Sequence, residues 1–463
     1  MTERLDLKGK RVLVVGLGKS GVASALFVKQ RGARVAVSDT KTEEELASEI
    51  PTLLDRGIMV ETGHHGERTF READLIVVSP GVPEDVPQLK QAREQGIAVI
   101  GEMELASRFL QGKIVAITGS NGKTTTTALA GAVLACGQKQ VQVGGNIGTP
   151  AISLVATSTP ETFNVLEISS FQLETIREFR PYIAAILNIT PDHLDRHRSF
   201  DAYAAAKARI FENQTPEDYT ILNAEDTNCV RLAARTRAQV IWFSRVREVG
   251  AGAFVRSGKV CWRDSRGGER EIMPVAEIPL KGAHNVENAL AAVAVGALAE
   301  CDPAQIRRAV AEFKAVEHRL EYVATVNGVE YYNDSKATNV DATIKALESF
   351  PANVHLILGG KHKGSPYTVL RELLRQRAKR VYTIGAAAEI VENDVRGAVE
   401  IVRAGTLDQA VRRAAESAVA GDVVLLAPAC ASFDQFPSYE HRGRAFKDAV
   451  KSLAARKEHR VAG

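Results

Sequence analysis

Two stretches of this chain place a run of β-branched residues directly before a glycine-rich turn and a helical pattern. They are RVLVVGLGKSG at 11–21 and KIVAITGSNGKTT at 113–125. A buried strand that turns on glycine into a helix is typical of parallel sheets, because parallel strands need long crossover connections. Strand and helix patterns continue to alternate along the chain, and this alternation predicts an α/β protein with doubly wound parallel sheets.

The length indicates how many such sheets to expect. At about 150 residues per domain, a chain of 463 residues is predicted to form three domains. The second begins near GKIVAITG, and the third follows EFKAVEHRLE and contains the strand patterns NVHLILGG, RVYTIG and VVLLAPA. We predict a Rossmann-like N-terminal domain at 1–101, a central P-loop ATPase-like domain at 102–315 and a Rossmann-like C-terminal domain at 316–463. The Gly/Arg-rich stretch 240–280 is expected to form short strands and loops.

Charge and composition exclude several classes of protein. The chain has 59 Lys and Arg against 56 Asp and Glu, a net charge of +3, which gives no basis for binding nucleic acid or an anionic membrane. No apolar run approaches the ~20 residues of a membrane span, and MTERLDLKGK lacks the apolar segment of a signal peptide. The five cysteines include no CxxC pair, which argues against a disulfide framework or a zinc site. These features predict a cytoplasmic protein that does not insert into membranes.

The loop 119–124 has the composition of a phosphate-binding turn. Backbone N–H groups at the start of a helix bind phosphate oxygens, Lys123 adds a positive charge, and the Thr124 hydroxyl can bind Mg²⁺. The loop differs from a standard P-loop, because only two residues separate Gly119 from Gly122 and Ile117 stands at the distal glycine position. The alternative is a helix-capping turn with a surface lysine. ATP or GTP is the working hypothesis for the ligand.

The N-terminal turn contains a second phosphate-binding pattern. Gly16, Gly18 and Gly21 form GxGxxG between a strand and a helix, and Asp39 ends the next strand. Such a turn can hold any diphosphate that faces the helix N-terminus, so NAD is one interpretation among several. A purely structural tight turn is another.

Three further features have both a chemical and a structural interpretation. Glu167 follows an apolar run, where a carboxylate could bind Mg²⁺ or be solvated. Lys207 lies in an Ala-rich helical pattern, where residue type alone favours a surface lysine. ILNITPDHLDRH holds a group of side chains that could bind a metal or form a polar turn, namely Asp192, His193, Asp195 and His197.

Taken together and in order, the motifs of this chain resemble those of the Mur ligases. They are TGSNGKTTT, GGNIG, LEISSFQLE, NITPDHLDRH, AAAKARIFE, LKGAHNVENALAA, EHRLE, YYNDSKATN and PACASFDQF. The resemblance covers nearly the whole chain, and the short phosphate loop is the family's own form. NDSKATN and PACASFDQF are the most specific segments, and they resemble the branch that adds D-glutamate.

The resemblance implies ATP-dependent ligation of D-glutamate to UDP-N-acetylmuramoyl-L-alanine in the cytoplasmic stage of peptidoglycan synthesis, by a monomer. The alanyl carboxylate would attack the γ-phosphate, and the amine of D-glutamate would then attack the resulting acyl phosphate. The alternatives are a related Mur-type or folate-type ligase with a different acceptor or amino acid, a nicotinamide-dependent oxidoreductase and a non-catalytic nucleotide-regulated module.

The resemblance also implies roles for individual residues. Lys123 and two Mg²⁺ ions would offset the phosphoryl charge, and Lys207 matches a lysine that CO₂ converts into a metal-binding carbamate. With Lys123 and Lys207, His193 completes the implied catalytic set, and the metal positions are Thr124, Glu167, His193 and carbamylated Lys207. ATP would contact Gly119, Ser120, Asn121, Gly122, Lys123, Thr124, Thr125, Asn288, Arg319 and Asp334.

The two other substrates have implied sites of their own. The UDP-substrate would lie against Lys19, Ser20, Asp39, Thr40 and Gly81, with Asn146 at its muramoyl-alanine part. D-Glutamate would lie among Lys336, Thr338, Lys363, Ser432, Phe433 and Tyr439. Two positions depart from the family pattern: Tyr439 stands where the family has Phe, and in GGKHKG the additional Lys361 could take the role of Lys363.

Overall fold

The computed structural model describes residues 5–461, except for the side chains of residues 194, 195 and 454–461. Within this part of the chain there are two compact units. The first runs to Ile189 and also includes Asp201–Val275 and Ala289–Val310; the second comprises Thr190–Phe200, Ala276–Asn288 and the chain from Ala311 onward. The first unit contains two β-sheets and the second contains one.

The N-terminal sheet is wholly parallel, with strand order β3-β2-β1-β4-β5. Its strands are β1 Arg11–Val15, β2 Arg34–Ser38, β3 Met59–Glu61, β4 Leu75–Val78 and β5 Ala98–Gly101, and its helices are α1 Lys19–Gln30, α2 Ile50–Leu54, α3 Glu67–Arg71, α4 Pro87–Glu94 and α5 Glu102–Ser107. The order reverses at β1, and ligands of such sheets bind at the carboxyl ends of the strands beside this reversal. The GxGxxG turn lies there, between β1 and α1.

The second sheet has nine strands in the order β14-β13-β12-β11-β10-β9-β6-β8-β7. They are β6 Lys113–Thr118, β7 Gln140–Gly145, β8 Thr162–Glu167, β9 Ile183–Ile186, β10 Tyr219–Asn223, β11 Gln239–Ser244, β12 Gly252–Arg256, β13 Lys259–Arg263 and β14 Glu269–Pro274. Strands β6 to β12 pair in parallel and β12 to β14 form an antiparallel meander. The expectation of short strands and loops at 240–280 is confirmed.

The helices of this part of the chain alternate with its parallel strands. They are α6 Lys123–Cys136, α7 Ser170–Glu174, α8 Leu194–His197, α9 Phe200–Ala208, α10 Thr227–Leu232, α11 Ala283–Leu298 and α12 Pro303–Ala311. A 3₁₀ helix at Ala151–Ala156 follows β7. Strand β6 lies between β8 and β9 and is buried along Ile114–Thr118, which explains its continuous apolar sequence. The phosphate loop is therefore anchored to a central strand.

The third sheet has the order β15-β16-β20-β17-β18-β19, parallel except for the β15–β16 hairpin. Its strands are β15 Glu321–Val326, β16 Val329–Asn333, β17 Val354–Gly359, β18 Ala378–Ile384, β19 Glu400–Gly405 and β20 Val423–Leu426. Its helices are α13 Val340–Glu348, α14 Arg371–Arg377, α15 Ala388–Val395, α16 Leu407–Ser417 and α17 Tyr439–Val461. Alternate residues of β17 join different cores: Leu356 and Leu358 pack in one and Ile357 in the other.

Three β-sheets, each connected by helices, confirm the predicted α/β fold class. The boundaries at 101/102 and 315/316 stay predictions. No helix in residues 5–461 is long and apolar enough to span a membrane.

Candidate active site

The phosphate loop connects β6 to α6 through two glycines in left-handed conformations. Gly119 has φ +154° and Gly122, at the N-cap of α6, has φ +86°. A Cβ on Gly119 would lie 3.1 Å from Cβ of Leu187, so the loop also needs a small residue for close approach. The loop therefore presents the N-terminus of a 14-residue helix at the end of a buried strand, the arrangement that binds phosphate.

Two side chains from other segments hold this loop in place. Asn188, just after β9, accepts from the Asn121 N–H at 2.8 Å and donates to the Asn121 carbonyl at 3.1 Å. The hydroxyl of Tyr203 lies 3.0 Å from Oγ of Ser120. The predicted site residues did not include Asn188 or Tyr203. Their only signals in the sequence are positional, since Asn188 follows a strand pattern and Tyr203 lies four residues before Lys207. Neither signal indicates contact with the loop.

Two lysines converge on the same turn of backbone. Nζ of Lys123 donates to the carbonyls of Gly119 and Ser120, both at 2.9 Å, and Nζ of Lys207 donates to the Gly119 carbonyl at 2.8 Å. Lys207 is only 1% exposed, and its Nζ lies 4.7 Å from the centre of the Tyr203 ring. The interpretation of Lys207 as a surface lysine is wrong. A buried ammonium requires nearby acceptors, and the loop carbonyl supplies one.

Glu167 is the buried carboxylate of this region. It is 1% exposed and accepts from Oγ1 of Thr124 at 2.7 Å and from Nδ2 of Asn146 at 2.8 Å. The interpretation of Glu167 as a solvated residue is wrong. A carboxylate beside a hydroxyl matches the oxygen ligands that Mg²⁺ prefers. Among the residues described, no three His, Cys, Asp or Glu side chains form a ready-made metal centre, so Mg²⁺ here would also need phosphate oxygens.

A cavity of about 830 Å³ opens above the GxGxxG turn in the first unit. All six residues predicted to contact the UDP-substrate line it: Lys19, Ser20, Asp39, Thr40, Gly81 and Asn146. His65 and Gln172 also line it, although the prediction did not include them. The cavity extends from the N-terminal sheet to the loop after β7. Its volume is large enough for more than a single phosphate group.

Gly16, Gly18 and Asp39 also line this cavity. Gly16 has φ +87°, and a Cβ on Gly21 would lie 1.8 Å from the Gly16 carbonyl oxygen, so the turn and α1 pack too closely for a side chain. Asp39 accepts from the backbone N–H groups of Leu17 at 2.6 Å and Lys41 at 2.9 Å. Burial lowers the pKa of His65, whose Nδ1 lies 2.8 Å from Oγ of Ser38.

The second unit contains the other residues predicted to contact ATP. Within residues 5–461, Nε of Arg319 and Oδ1 of Asp334 are buried and have no hydrogen-bond partner, so a polar ligand could satisfy them. Burial raises the pKa of Asp334 to about 6, while the charge of Arg319 opposes that rise. Nδ2 of Asn288 donates to Oδ1 of Asn285 at 3.0 Å.

His193 belongs to the second unit, whereas Thr124, Glu167 and Lys207 belong to the first. It has φ +53°, and its Nε2 lies 3.7 Å from Oδ2 of Asp192. Nδ2 of Asn339 donates to the same Asp192 oxygen at 2.9 Å, which fixes the carboxylate. The side chain of Asp195, another member of the candidate metal cluster, lies outside the described residues.

The residues predicted to bind D-glutamate occur as contacting pairs in the second unit. Nζ of Lys363 donates to Oγ1 of Thr338 at 3.3 Å, and Nζ of Lys336 lies 5.4 Å from the centre of the Tyr439 ring. Ser432 is buried, whereas Phe433 is 68% exposed. Arg442, absent from the prediction, is buried behind these residues and donates to the carbonyls of Ser335 at 2.8 Å and Cys430 at 3.1 Å.

Comparison with known families gives three consecutive matches. Residues 10–101 match the N-terminal domain of MurD-like Mur ligases, residues 117–296 the Mur ligase middle domain, and residues 318–430 the Mur ligase glutamate ligase domain. This chain belongs to the Mur ligase family. Family membership makes it a ligase of the amide-forming, ATP-dependent kind.

Individual relatives agree with this assignment. A UDP-N-acetylmuramoylalanine–D-glutamate ligase from Koribacter versatilis is 68% identical over 97% of this chain and 99% of its own length. A ligase of the same name from Acidobacterium capsulatum is 60% identical over 96% of this chain and 97% of its own length. In fold, this Mur ligase resembles a UDP-N-acetylmuramate–alanine ligase from Thermotoga maritima with TM-score 0.60 and 21% identity, covering 96% and 99% of the two chains.

Proposed function

We propose that this Mur ligase joins the amine of D-glutamate to the alanyl carboxylate of UDP-N-acetylmuramoyl-L-alanine, with ATP converted to ADP and phosphate. Acting as a monomer, it would serve the cytoplasmic stage of peptidoglycan synthesis and hence cell-wall formation and division. Its 68% and 60% identical relatives carry the name of this reaction.

One chain of contacts carries the proposal. Asn146 lines the cavity above the GxGxxG turn and donates to Glu167, and Glu167 accepts from Thr124 at the first turn of α6. A nucleotide-linked acceptor in the cavity would thus end beside a phosphate loop. A carboxylate has no usable leaving group, so an adjacent phosphate donor is what amide synthesis requires.

The residues of the first unit supply charge and position. Lys123 is held at the loop by two carbonyls, where its ammonium would offset charge on the transferring phosphoryl group. Glu167 and Thr124 would hold Mg²⁺, which when bound offsets charge on the phosphate oxygens. Arg319 and Asp334, in the second unit, stay predicted nucleotide contacts.

The amino-acid end would be formed by the second unit. D-Glutamate carries two carboxylates and an amine that must stay free to attack, so its pocket needs a cation together with hydroxyl or N–H donors. Lys363 with Thr338 and the buried Ser432 offers these groups. Lys361 is exposed, and its backbone is occupied in pairing with Ala431.

We further propose that CO₂ modifies Lys207 to a carbamate. A carbamate nitrogen keeps one N–H, so it can still donate to the Gly119 carbonyl at the observed position while its oxygens bind Mg²⁺. Only the neutral amine captures CO₂, so the modified fraction should fall at lower pH and in CO₂-depleted buffer. A carbon NMR signal after labelling with ¹³CO₂, lost in Lys207→Ala, would support the carbamate; no signal in the active enzyme would contradict it.

The ligase assay is direct. Phosphate release should require UDP-N-acetylmuramoyl-L-alanine, ATP and D-glutamate together, and L-glutamate should replace D-glutamate poorly. Release with another amino acid in preference to glutamate would support a different Mur-type ligase. NAD(H) binding without ligase activity would support an oxidoreductase, and ATP binding without turnover would support a regulatory module.

A further inference from the structure

Three side chains near the loop that carries Lys363 form a chain of hydrogen bonds. Nδ1 of His362 is 2.9 Å from Oη of Tyr367, and this Oη is 2.9 Å from Sγ of Cys430. Tyr367 and Cys430 are 1% and 0% exposed. Burial raises the pKa of the Tyr367 phenol and raises the pKa of the Cys430 thiol to about 11, so both keep their protons near neutral pH. The thiol can donate to the phenol oxygen and the phenol to the imidazole.

This chain links two segments that both contribute to the amino-acid pocket. His362 immediately precedes Lys363, and Cys430 lies two residues before Ser432. The backbones of Lys361 and Ala431 also exchange two hydrogen bonds, at 2.8 and 3.1 Å. Residues 362–366 form no helix or strand, and Lys363 and its neighbour Gly364 are exposed. Tyr367 therefore provides the buried attachment for an otherwise open loop.

We propose that the His362–Tyr367–Cys430 chain is a positioning device that sets the separation of Lys363 and Ser432 and thereby selects glutamate over the shorter aspartate. The inference rests on the proposed function, in which these two residues lie at the amino acid. Two anchors at a fixed separation reject a substrate that reaches only one of them, because the other anchor is left unpaired. Loosening the loop would let Lys363 follow the shorter side chain, so discrimination would fall.

The same sheet offers a matched control. Nδ1 of His355 lies 3.0 Å from Oη of Tyr382, which in turn lies 2.6 Å from Oγ of Ser417. Tyr382 is also fully buried, but its partners are on β17 and α16 and not on the loop 360–367. Tyr367→Phe and Tyr382→Phe therefore each delete a buried tyrosine hydroxyl from a His–Tyr pair, and only one of the two pairs is attached to the pocket.

The test is steady-state kinetics of the full-length enzyme with all three substrates. In Tyr367→Phe, the KM for D-glutamate should rise about tenfold and the preference for D-glutamate over D-aspartate should fall, with kcat and the other two KM values within about twofold. Tyr382→Phe should leave the KM for D-glutamate and the selectivity unchanged. An unchanged KM and selectivity in Tyr367→Phe, or equal changes in both variants, would overturn the inference.

Two more variants keep the outcome interpretable. If Tyr367→Phe does not fold, as judged by its thermal unfolding, the half-buried His362→Ala decides, with the same expected rise in the KM for D-glutamate. Lys363→Ala distinguishes the assignment of the amino-acid pocket from the positioning role of the His362–Tyr367–Cys430 chain. If it leaves the KM for D-glutamate unchanged, the pocket assignment itself is wrong; if it raises the KM while Tyr367→Phe and His362→Ala do not, only the positioning role is wrong.

Discussion

The surroundings of the phosphate loop 119–124 and of the loop 360–367 differ in how exposed their charged side chains are. Around the phosphate loop, Lys207 and Glu167 are each 1% exposed and hydrogen-bonded to the protein. Around the amino-acid loop, Lys361 and Lys363 are both exposed, and Phe433 is 68% exposed. The first region holds its buried charges in fixed positions, whereas Lys361 and Lys363 in the second are exposed to solvent.

This difference predicts different kinetic consequences of substitution. Groups fixed in a dry environment stabilise developing charge without reorganising, so their loss should appear in kcat. An exposed cation that gains a partner only when substrate arrives contributes mainly to binding, so its loss should appear in KM. Substitutions at Lys123 and Lys363 test this difference between effects on kcat and effects on KM.

The largest effect is expected from Lys123→Ala. This variant should fold, because Lys123 is only part-buried, yet kcat should fall by about 10²–10³-fold, as for the loss of one preorganised donor to a transition state. Phosphate-release kinetics measure the loss, and the thermal midpoint checks the fold. Activity within a few-fold of the parent enzyme would rule out Lys123 as the phosphate ligand.

A smaller effect, confined to one substrate, is expected from Lys363→Ala. Removing a cation that pairs with a substrate carboxylate should raise the KM for D-glutamate by about 10–100-fold and leave the KM values for ATP and the UDP-substrate nearly unchanged. Lys361→Ala, two residues away and equally exposed, is the matched control and should be mild. A larger effect at Lys361 than at Lys363 would reverse the assignment of these two lysines.

The sequence predicted the strand–turn–helix units because their signals are local. The glycine spacing and the apolar strands identified both glycine-rich turns, and the position of Asp39 indicated a diphosphate site at the first. The other residues predicted to line the large cavity were implied only by the family resemblance. Contacts between distant segments were not predictable in this way. Tyr203 reaches Ser120 across 83 residues and Asn188 reaches Asn121 across 67.

Burial was equally hidden from local pattern. The Ala-rich helical pattern around Lys207 gives no sign that this lysine is buried. A polar residue after an apolar run, such as Glu167, has the same sequence signature whether it is solvated or enclosed. Only tertiary packing distinguishes these cases.

Asp39→Ala tests whether the two phosphate-binding turns serve different substrates. Asp39 bonds to the backbone of Leu17 and Lys41 at the rim of the large cavity, so its loss should loosen that site alone. We expect the KM for the UDP-substrate to rise about tenfold while the KM for ATP stays nearly constant, as for lost uniform binding. A defect specific to ATP would show that the two sites are assigned the wrong way round.

The smallest effect concerns stability and comes from a pair of buried glutamates on α5. Glu104 accepts from three backbone N–H groups, those of Arg177, Glu178 and Phe179, and pairs with Arg108 at 2.7 Å. Glu102 accepts from Ile152 N–H at 2.8 Å through Oε1, and within the described part of the chain its Oε2 has no hydrogen-bond partner. Glu102 thus has fewer hydrogen-bond donors around its carboxyl group than Glu104 has.

Glu102→Gln should therefore make stability less dependent on pH. Burial raises the pKa of Glu102 from 4.5 to about 7, against the opposing backbone N–H groups of Ile152 and Ala151. Because the folded-state pKa lies above the unfolded value, the protonated carboxyl contributes stability that is complete below the unfolded pKa and lost as pH rises through about 7. Relative to the parent enzyme, Glu102→Gln should gain about 2 kcal/mol in the free energy of unfolding between about pH 5 and about pH 8, measured by urea denaturation. Glu104→Gln, which breaks an ion pair, should instead lose stability at both pH values, and parallel pH profiles for Glu102→Gln and the parent enzyme would show that Glu102 is already ionised when folded.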